Sequence, residues 1–319
     1  MNVYLGIDSG GTKTNFILVD EQGMILAQNT QPASHYMQVG YAGLTAIMKH
    51  GMEACLQEAQ LPCEEITAVF ASCAGYGDII HDTPKIEKAI HHAFPNILCK
   101  IGNDMENAFA GSLGGQNGIN VIAGTGSIGM GRDTQKTIRC GGWHHAFGGD
   151  EGSAYWIACK LIQTYTKQSD GREQKTKLYS YLNETYHFQD DSDILQLTIQ
   201  DWEFDRTKVA QMAKNVYELA LQNDPAAKQI YREAAKELAS IYLTIKNQLS
   251  LAEPVTAAYS GGAFKSGLYL LEPLKELLEP AGISLTDPCL DPTGGSALLA
   301  LELGGIAINE TILNNLAKS

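Results

Sequence analysis

A glycine-rich segment near the start of the chain has the residue types that bind phosphate. It runs from Gly6 to Thr14 and reads Gly-Ile-Asp-Ser-Gly-Gly-Thr-Lys-Thr. Glycines let the backbone approach a phosphate group, while amide N–H groups and threonine hydroxyls donate hydrogen bonds to its oxygens. An acidic residue, here Asp8, is suited to hold hydrated Mg²⁺. The candidate phosphate contacts are Gly10, Gly11, Thr12, Lys13 and Thr14, although an ordinary glycine-rich hairpin fits this segment equally well.

Two later segments have a similar character. The first, Gly124–Gly129, matches the spacing GxGxxG after an apolar strand, but no helical pattern follows it, so a second phosphate turn that includes Thr125 fits better than a dinucleotide site. The second reads Ser-Gly-Gly-Ala and lies between a strand and a helix. Its small residues, Gly261, Gly262 and Ala263, leave room for a flat nucleobase, and a tight strand-to-helix turn is the alternative interpretation.

Two aspartates lie in glycine-containing segments where a carboxylate could do chemistry. Asp104 opens a helical segment, where helix capping is the commoner role and proton transfer the rarer one. Asp150 could cap the helix that follows it, and the pair that it forms with Glu151 could bind a metal ion. His144 and His145 have no further ligands spaced with them, which disfavours a metal site there.

The residues around these segments predict an internal repeat. Apolar strands, turns and helical periodicities alternate through the first third of the chain, and a breaker cluster at 114–118 is followed by a new strand, glycine turn and strand. The predicted strands of the first part span 3–7, 14–19, 24–27, 66–74 and 97–101, and its helices include 40–59 and 104–113. Mostly helical sequence then occupies 153–250, before a strand at 254–259 and helices at 266–279, 294–303 and 309–318.

Composition limits the classes of function. A chain of 319 residues exceeds what one core usually serves, so two domains are expected. A net charge of −13 disfavours nucleic acids and membrane surfaces as partners, and favours a small-molecule ligand. Seven cysteines without CxxC spacing, and an N-terminus that enters a strand directly, predict a protein of the reducing cytoplasm without structural zinc.

The order of these motifs resembles one family. Two glycine/threonine turns followed by Ser-Gly-Gly-Ala resemble the phosphate-1, phosphate-2 and adenosine motifs of the sugar kinase/Hsp70/actin superfamily. Residues 140–143 and 149–158 are similar to the N-acetylglucosamine kinase branch of the BadF/BadG/BcrA/BcrD ATPase family. The resemblance covers nearly the whole chain, except that no motif is matched in 165–250.

The resemblance implies an α/β fold of two actin-like (ribonuclease H-like) domains with a central cleft and a helical elaboration in the second. The expected first domain comprises 1–113 plus a C-terminal helix at about 305–319. The second comprises 114–304, with a helical insertion at about 160–250.

The same resemblance implies roles for single residues in an ATP-dependent amino-sugar kinase that acts on the 6-hydroxyl. Asp104 corresponds to the catalytic base, and Asp8 holds Mg²⁺ through water. Sugar contacts are implied for Asp150, Ser127, Gly126, Ser34 and His35, and ATP contacts for the three glycine-containing turns. A homodimer is also implied.

One position departs from the pattern of the animal N-acetylglucosamine kinases. Ile128 follows Ser127 where those enzymes have an asparagine that contacts the sugar. Because isoleucine cannot make that hydrogen bond, glucosamine and N-acetylmuramic acid remain alternative substrates. Two other functions stay open: an ATPase that activates a dehydratase or reductase through an iron–sulfur cluster, and a nucleotide-dependent sugar sensor.

Overall fold

The computed structural model describes residues 1–10, 12–77 and 79–318, which divide into two compact units. Unit 1 comprises Met1–Asn117 and Asp287–Ser319, and unit 2 comprises Gly118–Thr286. The strands in the described residues are β1 (Val3–Ser9), β2 (Lys13–Asp20), β3 (Ile25–Pro32), β4 (Ile66–Ser72), β5 (Leu98–Gly102), β6 (Gly118–Ala123), β7 (Ser127–Arg132), β8 (Thr137–Gly141), β9 (Val255–Ser260) and β10 (Ile283–Leu285).

The α-helices in the same residues are α1 (Tyr36–Ala59), α2 (Thr83–Ala93), α3 (Asp104–Ser112), α4 (Ala154–Ser169), α5 (Lys177–Tyr186), α6 (Asp193–Leu195), α7 (Arg206–Gln211), α8 (Ala213–Leu221), α9 (Pro225–Lys246), α10 (Leu268–Leu278), α11 (Pro292–Leu303) and α12 (Glu310–Leu316). A π-helical turn, Gln196–Asp201, follows α6. None of the helices that are described is long and apolar enough to cross a membrane.

The sheet of unit 1 has the strand order β3-β2-β1-β4-β5. The β1–β2 and β2–β3 pairs are antiparallel, and the β1–β4 and β4–β5 pairs are parallel. Because successive side chains of a strand point to opposite faces, Val3, Leu5 and Ile7 join one core cluster, and Tyr4 joins another. The first cluster contains side chains of α1 and α2, and the second contains side chains of α11 and α12.

Close backbone packing joins α11 to the centre of this sheet. A Cβ atom on Gly6 would lie 2.6 Å from the carbonyl carbon of Ser296, so β1 and α11 approach each other as only a glycine permits. Apolar side chains of α11, among them Leu298 and Leu301, are fully buried against this face. The helix therefore belongs to unit 1, in contrast to the expectation that only about 305–319 returns to the first domain.

Unit 2 repeats the topology of unit 1. Its strand order is β10-β9-β6-β7-β8, with antiparallel β6–β7 and β7–β8 pairs and parallel β6–β9 and β9–β10 pairs. Each strand thus has a counterpart with the same neighbours and directions in unit 1, and the internal repeat predicted from the sequence is confirmed. Between β8 and β9 the second unit carries the helices α4 to α9, which agrees with the predicted helical elaboration.

Several boundaries differ from the predictions. The units divide between Asn117 and Gly118 rather than after residue 113, because residues 114–117 continue from α3. Strand β3 extends to Pro32, well past the apolar segment 24–27, because its polar half still pairs with β2. The strand β10 has only three residues and carries no sequence signal of its own.

We predict that the substitution Gly6→Ala destabilises unit 1 by about 1–3 kcal/mol, because a methyl group would force β1 and α11 apart. The measurement is the shift in denaturant-induced unfolding. Gly124→Ala is the matched control, since Gly124 follows the corresponding strand of unit 2 and an added Cβ meets no atom within 4 Å there. Equal stability of the two variants would contradict the close-packing explanation.

Candidate functional site

The first glycine turn connects β1 to β2 in unit 1. The amide of Gly10 donates to the carbonyl oxygen of Lys13 at 2.9 Å and closes the turn. Thr12 and Lys13 are exposed, and Gly10 is half-buried, so the turn presents polar groups to solvent. Gly11, which was also predicted to contact phosphate, lies outside the described residues.

Next to this turn, the hydroxyl groups of three buried side chains form hydrogen bonds with one another. The Oγ atoms of Ser9 and Ser34 are 2.7 Å apart, and the Oγ1 atom of Thr14 lies 2.8 Å from that of Ser34. All three side chains are fully buried. The structure therefore places Thr14 and Ser34, predicted ATP and sugar contacts, where their hydroxyls bind each other and brace the turn.

His35 is the N-cap residue of α1. Its Nδ1 atom accepts a hydrogen bond from the amide of Met37 at 3.3 Å, and its ring stacks on Tyr36 at 5.3 Å between centroids. The ring is half-buried beside Gly75. Because Nδ1 accepts this hydrogen bond, Nε2 is the ring nitrogen that is left to donate.

Asp8 lies at the end of β1 in an oxygen-rich environment of unit 1. Its Oδ1 atom accepts a hydrogen bond of 2.7 Å from the Nδ2 atom of Asn107, and Thr293 Oγ1 lies 3.4 Å from Oδ2. Burial raises the pKa of Asp8 above its usual value, and the nearby Asp291 carboxylate acts in the same direction. The Oδ1 atom of Asn107 is buried and has no hydrogen-bond partner among the described residues.

This set of oxygens fits a hard cation. Mg²⁺ prefers oxygen ligands and keeps several waters, so it needs only one or two carboxylates. In the described residues no group of three or more His, Cys, Asp or Glu side chains is placed to hold a metal ion directly.

Asp104 occupies the first position of α3, but it does not cap the helix. Asn103 is the N-cap: its side chain accepts from the amides of Met105 and Glu106, and the Glu106 side chain accepts from the Asn103 amide. The capping of α3 thus rests on Asn103 and Glu106, and the Asp104 side chain is exposed.

The second glycine turn connects β6 to β7 in unit 2 and is fixed by α4. The carbonyl oxygens of Gly124 and Thr125 accept hydrogen bonds from the amides of Ala154 and Tyr155, at 2.9 and 3.4 Å. Ser127 Oγ donates to the carbonyl oxygen of Glu151 at 2.6 Å. The turn is therefore rigidly tied to the segment that contains Asp150.

Asp150 is the centre of a second polar cluster in this unit. Its carboxylate is only 5 % exposed, and its φ of +63° is unusual for a residue other than glycine. The Oδ1 atom accepts from the amide of Ser127 at 3.2 Å, and the Oδ2 atom lies 2.5 Å from a guanidinium nitrogen of Arg206. Ser153 caps α4, so capping is not the role of Asp150.

The histidines that precede Asp150 support their own loop. His144 accepts a hydrogen bond from the amide of Ala146, and its ring lies 4.1 Å from that of His145. Burial, followed by the neighbouring His144, lowers the pKa of His145 and favours its neutral form.

A pocket of about 550 Å³ adjoins the second and third glycine segments of unit 2. Gly124 and Thr125 line one side, and Gly262 and Ala263 line another. The remaining walls come from α4, α7, α8, α9 and the turn after β9, and include Ile157, Gln211, Lys214, Tyr217, Tyr231 and Lys265. Apolar and aromatic walls with two lysines match the chemistry of a nucleotide, which combines a flat base with anionic phosphates.

Gly261 allows the third segment to reach this pocket. A Cβ atom at this position would lie 2.5 Å from the carbonyl oxygen of Ala123, and φ is +101°. Only glycine fits both constraints. The turn after β9 is thereby held against the end of β6, beside the second phosphate turn.

The sequence did not reveal Arg206 or the lining residues of α7 and α8. These residues lie in 165–250, where no motif was matched, and they approach the glycine turns only through the tertiary packing of the helical region. Ile128, the departure from the animal kinase pattern, is half-buried, and its side chain lies beside Gly142.

The repeated sheets and their glycine turns define a protein of the actin-like class that uses ATP. The chain belongs to the BadF/BadG/BcrA/BcrD ATPase family, whose profile matches residues 5–300. It is 29% identical over 318 residues to the N-acetyl-D-glucosamine kinase of Dictyostelium discoideum, an alignment that covers 94% of this chain and 98% of the relative.

Two further proteins are similar. The N-acetylmuramic acid/N-acetylglucosamine kinase of Clostridium acetobutylicum is 28% identical, over 87% of this chain and 90% of its own. A crystal structure from Chromobacterium violaceum, assigned provisionally as an N-acetylglucosamine kinase, superposes with a TM-score of 0.74 at 25% identity. That superposition covers 94% of this chain and 99% of the other.

The raised pKa of Asp8 leads to a prediction about stability. A carboxyl group that binds its proton more tightly in the folded protein costs stability as the pH rises through its pKa. The substitution Asp8→Asn removes this cost, so we expect a higher melting temperature at pH 7–8, together with loss of activity.

The gain in melting temperature should shrink as the pH is lowered, since Asp8 itself becomes protonated. The measurement is the melting temperature of the wild-type protein and of Asp8→Asn at a series of pH values, from pH 8 down to acidic pH. A gain that is independent of pH would show that burial of the charge is not its source.

Proposed function

We propose that the protein is an ATP-dependent kinase of amino sugars, which phosphorylates N-acetylglucosamine or a close relative at the 6-hydroxyl. The observation that carries this proposal is the double role of the β6–β7 turn. Its first two residues, Gly124 and Thr125, line the pocket whose walls suit a nucleotide. The amide of Ser127 binds the Asp150 carboxylate. One short turn thus lies between the proposed phosphate site and the carboxylate that is proposed to bind sugar hydroxyls. Transfer of a phosphoryl group from a nucleotide to a sugar requires these two sites to be neighbours.

The similar proteins support an amino sugar as the acceptor. The relatives from Dictyostelium and Clostridium are both named as kinases of N-acetylated amino sugars. Asp150 has acceptor capacity beyond its two present hydrogen bonds, because each carboxylate oxygen has two lone pairs. Sugar hydroxyls are donors of the kind that this carboxylate can bind. Gly126 and Ser127 of unit 2 and His35 of unit 1 are the other proposed sugar contacts, whereas the Ser34 hydroxyl is bound to Ser9 and Thr14 and supports the first turn.

Asp104 is the proposed general base. Phosphoryl transfer needs a group that accepts the proton of the attacking hydroxyl as its oxygen bonds to the γ-phosphorus and the bond to ADP breaks. Asp104 is an exposed carboxylate at the first position of α3, where Asn103 is the N-cap.

Asp8 is the proposed anchor for hydrated Mg²⁺, with Asn107 and Thr293 beside it. Bound there, the cation would neutralise phosphate charge. Gly10, Gly11, Thr12 and Lys13 supply amide and side-chain donors of the first phosphate turn, with Thr14 supporting them. Gly261, Gly262 and Ala263 serve the nucleoside in unit 2.

We also propose a cytoplasmic homodimer. All seven cysteines are free thiols, which suits a reducing compartment, and ATP is an intracellular substrate. The dimer follows from the resemblance to the kinase branch, and light scattering on the purified protein tests it.

The deciding experiment measures ADP release with MgATP and a panel of acceptors. The panel contains N-acetylglucosamine, glucosamine, N-acetylmuramic acid, N-acetylmannosamine and glucose, together with a control without sugar. We expect one amino sugar to stimulate ADP release strongly and to yield a 6-phosphate.

Two results would contradict this proposal. ADP release that is equal with and without every sugar would favour an ATPase, and iron in the purified protein would then point to the activator function. Binding of ATP and a sugar without any turnover would instead indicate a sensor.

We predict that Asp104→Asn lowers kcat for sugar phosphorylation by about 100- to 10,000-fold, because general bases contribute rate factors of this size. Binding of a non-hydrolysable ATP analogue should change by less than about twofold, since Asp104 is not among the residues proposed to contact ATP. Glu310→Gln is the matched control, since Glu310 is also an exposed acid at the first position of a helix, α12. Normal turnover by Asp104→Asn would remove this residue from the mechanism.

A further inference from the structure

Arg206 is a charged residue of the helical region that lies within the Asp150 cluster. It is the first residue of α7, and the preceding Asp205 caps that helix. One guanidinium nitrogen lies 2.5 Å from Asp150 Oδ2, and the Arg206 side chain is 37% exposed. Its Nε atom is buried and has no hydrogen-bond partner within the described part of the chain.

Two features of the backbone accommodate this ion pair: a glycine beside it and left-handed residues before α7. A Cβ atom on Gly126 would overlap both the Asp150 carboxylate and the Arg206 guanidinium, so the pair lies directly against the second phosphate turn. The two residues before Asp205, Glu203 and Phe204, have φ values of +51° and +54°. Consecutive left-handed residues other than glycine are costly, and here they set the direction from which α7 presents Arg206.

The ion pair fixes the carboxylate more firmly than either partner could alone. Asp150 is nearly buried, and a buried charge is stable only when it is paired and hydrogen-bonded. The Ser127 amide binds Oδ1 and Arg206 binds Oδ2, so rotation of the carboxylate is blocked at both oxygens. Its remaining lone pairs then point in fixed directions, which favours a sugar hydroxyl in one geometry.

The same helix reaches the nucleotide pocket. Thr207, Ala210 and Gln211 of α7 line that pocket, one to five residues after Arg206. The six residues of α7 thus link the carboxylate that is proposed to bind the sugar to a wall of the pocket.

We propose that Arg206 is the positioning residue of the sugar site, and that α7 couples sugar binding at Asp150 to nucleotide binding in the adjacent pocket. This inference rests on the proposed kinase function and adds a residue and a route of coupling to it. Arg206 acts through Asp150, and the coupling is a difference in nucleotide affinity with and without sugar.

The test compares Arg206→Met and Arg206→Lys with the wild-type protein, and with Lys208→Met as the matched control. Lys208 is an exposed cation on the same helix and does not line the pocket. Two quantities are measured on the full chain: KM and kcat for the best sugar of the panel, and the Kd of a non-hydrolysable ATP analogue with and without saturating sugar.

We expect Arg206→Met to raise the sugar KM at least about tenfold, while kcat at saturating sugar changes less than about threefold. Sugar should tighten analogue binding about fivefold or more in the wild-type protein, a typical coupling, and less than about twofold in this variant. Without sugar, the analogue Kd should be unchanged. Arg206→Lys should be intermediate, because lysine keeps the charge but loses the planar fork.

The outcomes separate this inference from the proposed function. A wild-type protein that phosphorylates no sugar defeats both. An active wild-type protein, with Arg206→Met retaining the wild-type sugar KM and the coupling, defeats only the role of Arg206. If Arg206→Met fails to fold by circular dichroism, Arg206→Lys decides: a normal KM and full coupling in that variant would overturn the inference, since the geometry of the fork is lost.

Discussion

Close approach of backbone segments at glycine is the constraint on which both polar clusters depend. At Gly6 it brings α11 onto β1, and with the helix comes Thr293 beside Asp8. At Gly126 it makes room for the pair of Asp150 and Arg206, and at Gly261 it holds the turn after β9 against the end of β6. A methyl group at any of these positions would push the packed segments apart. The side chains of the polar clusters would then lose the positions relative to one another on which binding depends.

The net charge of the chain is negative, whereas the charged side chains at the pocket and at Asp150 include cations. The whole sequence carries a net charge of −13, yet Lys214 and Lys265 line the pocket beside the second glycine turn, and Arg206 lies at the Asp150 carboxylate. Net charge governs encounters over distances near the Debye length, whereas a bound phosphate responds to donors a few ångströms away. An acidic protein can therefore bind an acidic ligand without contradiction, and only where its cations are gathered.

Local sequence was sufficient for most of the repeated strands, the glycine turns and the internal repeat, because each depends on periodicity or turn chemistry within a few residues. The three-residue strand β10 was not predicted. The sequence also led to Asp8, Asp104 and Asp150 as candidate residues, and their roles stay predictions. It could not decide which residues cap α3 and α4, since Asn103 competes with the neighbouring Asp104, and Ser153 with Asp150 three residues before it. Arg206 could not be found at all, because its link to Asp150 spans 56 residues and leaves no local pattern. The placement of α11 was missed for the same reason: its packing against β1 joins residues almost 300 positions apart.

The helices α4 to α9 lie between two strands of a sheet that is complete without them. Lining residues of the pocket come from these helices, and Arg206 of α7 lies at Asp150, whereas the hairpins that carry the glycine turns belong to the repeated core. Substitutions at the lining residues of α7 and α8 would change the walls of the pocket and leave the pairing of β6 with β7 in place. Exchanging α7 and α8 between relatives of this chain would therefore alter that pocket while the glycine turns of the repeated hairpins stay the same.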